Sequence, residues 1–235
     1  MMRKGIAFFV FSLVLVYLLS PAACADRQFQ PNTAQDAKLQ ALNCLMNVAF
    51  SPEYGDERDS IIRWQQPIYI YAGGVPTRED LKKLDAFIME IALRVPGMPN
   101  IYRTESEYKA NITMYFVNEN EMGDYVSGYE KGNIGMVTYW YTDEEIYRAE
   151  IAISADTTDQ STRNHLIMEE FINGIGLGND HDMYEDSIIY QHSNTAQKLS
   201  EVDWLMLNMI YSPEVEHGMS SNDAYNALLQ NILAK

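Results

Sequence analysis

Glu169 and Glu170 are the residues of this sequence best suited to chemistry. They are adjacent carboxylates inside Asn164–Ile175, where apolar residues recur at helical spacing, with His165 one turn before Glu169 and Asn173 one turn after. Carboxylate, imidazole and amide are the groups used for proton transfer and for holding cations. At about 100° per residue, Glu169 and Asn173 fall within about 80° of His165, and Glu170 at about 140°. Ile167, Met168, Phe171, Ile172 and Ile175 fill the other half of the helix. The plain reading of such a polar stripe is a solvated outer face. The residues that follow argue otherwise. Gly174, Gly176 and Gly178 each cost about 1 kcal/mol in a helix interior relative to Ala. Three in such a short stretch mean that the chain turns sharply or that something approaches its backbone closely. They close a helix rather than open one after a strand, which excludes a dinucleotide-binding loop.

The segment resembles the zincin metalloproteases, and within them the metzincin-like pattern H-E-x-x-H-x-x-G-x-x-H/D followed by a turn. Glu169-Glu170-Phe171-Ile172-Asn173-Gly174-Ile175-Gly176-Leu177-Gly178-Asn179-Asp180 keeps the glutamate of the second position, Glu170, and the turn glycine, Gly176. Asp186-Ser187-Ile188-Ile189-Tyr190 is similar to a Met-turn with Ile189 in the methionine's place. The chain also resembles a bacterial secreted family described as a domain of unknown function, whose members carry E-E-x-x-Q/N-x-x-G-L-x-N-D and a C-terminal L-Y-x-P…G-M-S segment. The latter is matched here by Ile210-Tyr211-Ser212-Pro213 and Gly218-Met219-Ser220.

These resemblances imply a groove lined by His165, Glu169, Asn173, Gly176, Asn179, Asp180 and Ser187. Were the site active, Glu170 would be its general base and Tyr190 a stabilising hydroxyl. The three ligand positions, however, hold Glu169, Asn173 and Asn179, and catalytic zinc wants about three good donors, mostly imidazole or thiolate. No metal is therefore expected, and a peptidase is disfavoured. A relocated zinc site would use His165, Glu169 and His181. Calcium has a second candidate in the acidic loop of Asn179, Asp180, Asp182, Glu185 and Asp186, although the spacing is not that of an EF-hand. Glu169 and Glu170 as an acid/base pair are opposed by the divergence of adjacent helix positions.

The elements that must position this helix read as follows. A helix runs from Asn32 to Phe50, then a loop from Ser51 to Asp59, a strand from Ile68 to Ala72 closed by Gly73-Gly74, and a helix capped by Thr77 and Asp80. Asn111–Val117 is a second strand. Met136–Tyr141 and Ile146–Ser154 form a hairpin, with Arg148 and Glu150 on one face of its second arm and Ala149 and Ile151 on the other. After the site helix come helices near Ser200–Tyr211 and from Ser220 or Ser221. This order predicts an α+β fold, zincin-like, with a mixed sheet whose edge hairpin packs on the site helix and a helical C-terminal part. The nearest sheet edge is expected at Ile146–Ser154.

Residues 1–25 read as a signal peptide: Arg3-Lys4, an apolar run from Ile6 to Leu19 shorter than the roughly 20 residues of a membrane span, and Ala23-x-Ala25 before a cut at Asp26. The competing reading makes Cys24 a lipoprotein's acylated residue, with Pro21 against it. Residues 26–235 then form one domain, with the sheet in 26–180 and the helical part in 181–235. Cys44 remains as a single packed thiol, so no intrachain disulfide is expected. With 33 Asp+Glu against 17 Lys+Arg the net charge is −16, and loss of Arg3 and Lys4 takes it to −18. Such a surface repels nucleic acid and anionic lipid. The expectation is an exported, non-proteolytic protein, periplasmic or secreted, without a membrane span after cleavage. It would bind a peptide or protein segment in the degenerate groove without a cofactor. The alternative is a metal-dependent hydrolase with unusual ligands and Glu170 as base, and a third reading is a calcium-stabilised scaffold.

Overall fold

The computed structural model of the chain describes the backbone of residues 4–8, and residues 28–50, 59–192 and 195–234 in full. The expected cleavage site, Cys24 and most of the 51–59 loop lie outside the described residues. The sheet has seven strands: β1 (Lys4–Phe8), β2 (Arg63–Trp64), β3 (Ile68–Gly74), β4 (Ile101–Arg103), β5 (Ile112–Val117), β6 (Gly135–Thr142) and β7 (Glu145–Ser154). Their order across the sheet is β1-β6-β7-β5-β3-β4, with β2 paired to the start of β7. β3, β4, β5 and β7 are parallel, and β6 and β1 each run antiparallel to the neighbour inside them. The helices are α1 (Ala34–Phe50), α2 (Arg78–Arg94), α3 (Gln160–Gly174), α4 (Glu201–Ile210) and α5 (Ser221–Leu233). The fold is thus mixed α+β.

Local chemistry explains the boundaries. Thr77 and Asp80 exchange both capping-box hydrogen bonds at the start of α2. The β6–β7 hairpin turns on Asp143 and Glu144, both at positive φ (49° and 63°), as a two-residue turn matching the strand twist requires. In β7, Arg148 pairs with Glu150 on one face while Ala149 and Ile151 are buried on the other.

The edge expected at Ile146–Ser154 is corrected by the structure. β7 is an inner strand, flanked by β6 on one side and by β5 and β2 on the other. Ile151, Ala152, Ile153 and Ser154 are all buried, which is how an inner strand covered on both faces reads. The outer arm of the hairpin is β6, and β1 lies along it with Lys4 opposite Thr142 and Phe8 opposite Thr138.

α3 lies against β6 and β7, with α2 beside it, while α1 packs on α4 and α5. Every residue of α3 from His165 to Gly174 is buried. The other face of the sheet carries a smaller apolar cluster of Val117, Met122, Val126, Met136 and Ala152. Short β2 does a specific job: it closes the C-terminal end of α3. The Trp64 indole donates to Gly174 O at 3.0 Å, and the Tyr211 hydroxyl donates to Ile175 O at 2.6 Å, satisfying carbonyls that a helix end leaves without partners. The turn then continues through Gly176 (φ 122°) and Gly178 (φ 72°), conformations that favour glycine. Cys44 is a buried free thiol, and burial pushes its pKa up, so it acts as a packed apolar side chain.

Candidate functional site

The polar stripe of α3 is not a solvated face. Glu169 is 0% exposed and Glu170 2%, with His165, Asn173 and Asn179 also buried. His165 Nδ1 lies 3.0 Å from Ala196 O and must donate to it, because a carbonyl only accepts. In the neutral ring Nε2 therefore carries a lone pair, and it stands 3.3 Å from Glu169 Oε2. Burial raises the Glu169 carboxyl well above its usual range and lowers His165. Both shifts favour an uncharged pair. Glu170 is raised by burial first, then by the charges of Glu169 and Asp180. Its carboxyl sits where β6 begins: a Cβ on Gly135 would come within 2.6 Å of Glu170 Oε1 and 2.7 Å of Leu166 Cδ2. Gly135 is the close approach that lets strand and helix enclose this carboxyl, and nothing in the local sequence pattern announces it.

The remaining candidates are divided between this cluster and a second one. Asp180 is half-buried and acts electrostatically on both His165 and Glu170. Ser187, placed in the same groove by its motif, instead belongs to a separate buried chain. His181 Nδ1 accepts from Met183 N at 3.1 Å, so its Nε2–H donates to Ser187 Oγ at 3.0 Å, and Ser187 Oγ donates to Asp203 Oδ1 at 2.6 Å. Asp203 also accepts from Ile188 N and from Ser200 N and Oγ. The zinc triad of His165, Glu169 and His181 is thereby corrected: both nitrogens of His181 are committed to Met183 and Ser187. Among the described residues no three His, Cys, Asp or Glu side chains are placed to hold a metal ion.

Tyr190 is half-buried, bridged by its backbone to His181, with its ring 5.2 Å from that of His192. Gly176 faces away from any groove: a Cβ there would lie 2.8 Å from Ile62 O. In the acidic loop Asp182 and Asp186 are exposed, and Asp186 accepts from Phe29 N. Cavities of 610 and 560 Å³ take none of their lining from α3; the larger is lined by Glu185 and Asp186 of the acidic loop together with Ala196 and Ser200. The carboxylates of α3 are enclosed rather than set along an open groove. Asp203 escaped the sequence reading, although Ser200-x-x-Asp203 ahead of an apolar run is a capping-box pattern and does form one.

With this arrangement in view, comparison with known families is informative. A family model described as a protein of unknown function, DUF2927, matches residues 40–230, from α1 to α5. The chain belongs to the DUF2927 family. The DUF2927 match takes in both buried clusters and the whole sheet except β1. No curated protein matches the chain.

The His181–Ser187–Asp203 chain has a pH consequence. Burial lowers His181 from 6.5 to about 4. A histidine kept neutral in the fold but free to charge when unfolded contributes stability above pH 6.5, and this is lost as pH falls towards 4. The full loss is about 3 kcal/mol. Asp203 is shifted upward and has the opposite sign, gaining as pH falls, so the comparison with a variant isolates the histidine. Urea midpoints of the wild type should fall between pH 6.5 and 4 more steeply than those of His181→Gln. Parallel curves would show that His181 does not titrate with folding.

Proposed function

We propose that this DUF2927 protein is an exported, non-proteolytic, zincin-like protein that holds an extended peptide or protein segment as an added strand along β6. The observation that carries this reading is the antiparallel pairing of Lys4–Phe8 on Thr138–Thr142. This pairing supports reading the outer edge of β6 as a template for a further strand. In such binding, backbone hydrogen bonds give affinity and alternate side chains give selectivity. Removal of residues 1–25 on export would offer that edge to another chain. At its other end β6 starts at Gly135, whose missing side chain makes room for the enclosed Glu170 carboxyl beneath the strand, so the added segment would lie on the edge and not against the α3 carboxylates. The ligand positions Glu169, Asn173 and Asn179 offer no imidazole to a catalytic zinc, and no zinc-bound water is then brought to a pKa near 7. Among the described residues no helix is long and apolar enough to cross a membrane.

The test is titration of residues 26–235 with a labelled peptide copying residues 3–8, followed by mass analysis of the peptide. Saturable binding is expected, lost when alternate peptide amides are N-methylated, with the peptide recovered whole. Equal binding of the methylated peptide would remove the strand-addition reading. Cleavage that disappears in Glu170→Gln would establish the hydrolase instead, with Glu170 as base.

A further inference from the structure

The polar atoms shut against α3 are chemically one-sided. Glu169 Oε1 and Oε2, Glu170 Oε1 and Asn173 Oδ1 are buried and take no hydrogen bond among the described residues. All four are acceptors when the carboxylates are ionised, the state that a nearby positive charge favours. The nearby His165 Nε2 faces Glu169 with a lone pair when its ring is neutral. Folded proteins leave few buried acceptors without a donor, because each such atom keeps its full desolvation cost. Glu169 and Asn173 lie one helical turn apart and share a face, so their oxygens can reach one point. Glu170 opens from the adjacent position towards the space left by the missing Cβ of Gly135.

Zinc does not suit this set, which offers carboxylate and amide oxygen where zinc takes imidazole and thiolate. Oxygen donors with no nitrogen or sulfur are what the hard alkaline-earth ions take, and these ions complete their shells with water. We propose that Glu169 and Asn173 bind one hard divalent cation, of the calcium or magnesium class, with Glu170 as the acceptor for a water on the ion. The amide oxygen replaces a third charged ligand, which is compatible with the absence of a three-residue His, Cys, Asp or Glu cluster among the described residues. The cation would neutralise the inner face of α3 and fix its distance from β6. This site lies beneath β6 and is independent of what pairs along the strand's outer edge.

The test uses the purified chain, stripped with EDTA and exchanged into metal-free buffer. Addition of CaCl₂ or MgCl₂ at a hundredfold excess over Kd should raise Tm by about 5–10 °C, and elemental analysis after gel filtration should find one equivalent of that ion. Glu169→Gln should abolish both responses. Asn173→Asp, which adds a charge to the same oxygen position, should bind the ion more tightly, a result that a merely packed amide would not give. Stripped protein indifferent to both salts would overturn the proposal, leaving protons or water to satisfy these oxygens. Retention of zinc alone would overturn it as well.

Discussion

Asp80→Ala should destabilise the chain by about 3–5 kcal/mol, the usual cost of removing one partner from a buried ion pair. Asp80 is 1% exposed and has two tasks. Its Oδ2 accepts from Thr77 N at 2.7 Å, completing the cap of α2. Its Oδ1 accepts from Arg163 Nε at 3.1 Å and from Gln160 Nε2 at 2.6 Å, both from the first turn of α3. Arg163 further donates to Thr158 O at 2.7 Å and to Gln160 Oε1 at 3.0 Å, so truncating Asp80 leaves an ordered guanidinium in the interior without its carboxylate. Urea unfolding should show the loss as a lower midpoint at unchanged slope. The double variant Asp80→Leu, Arg163→Leu should recover most of it, because exchanging a whole buried pair for apolar groups is often neutral. About 1 kcal/mol should stay lost with the cap. A single variant within about 0.5 kcal/mol of wild type would show that α2 does not position α3 through this pair.

Gly176→Ala should cost about 2–5 kcal/mol, from a side chain held at φ 122° and from overlap with the sheet. The added Cβ would lie 2.8 Å from Ile62 O and 3.4 Å from Ile210 Cδ1, so β2 would have to retreat. Retreat of β2 loosens Trp64 from Gly174 O, and a drop in the tryptophan emission change on unfolding should accompany the lower midpoint. An Ala variant as stable as wild type would mean that this backbone is not constrained as described.

Those two positions show what the sequence could and could not disclose. The Thr77–Asp80 cap was legible because both partners lie three residues apart. The tie from Asp80 to Arg163 crosses 83 positions and has no local signature. The glycine spacing correctly announced a sharp turn and a close approach, while the zincin-like pattern assigned Gly176 to a groove that it does not line. The edge was misplaced for a definite reason. Alternation at period two tells which face a side chain takes, not which neighbours a strand has, and only the continuous burial of 151–154 separates β7 from an edge. β2 and β4, two and three residues long, are too short for any periodicity to register. The polar stripe of α3 was visible, but its cover was not. It includes the 196 carbonyl on His165, a contact spanning 31 residues.

The most direct measurement of the central claim is amide hydrogen exchange of residues 26–235, with and without the residue 3–8 peptide, read together with the mass of the recovered peptide. Slowed exchange confined to residues 138–142, the partners of Lys4–Phe8, with the peptide intact, is the predicted result. Unchanged exchange along β6, or a peptide returned in two pieces, would contradict it.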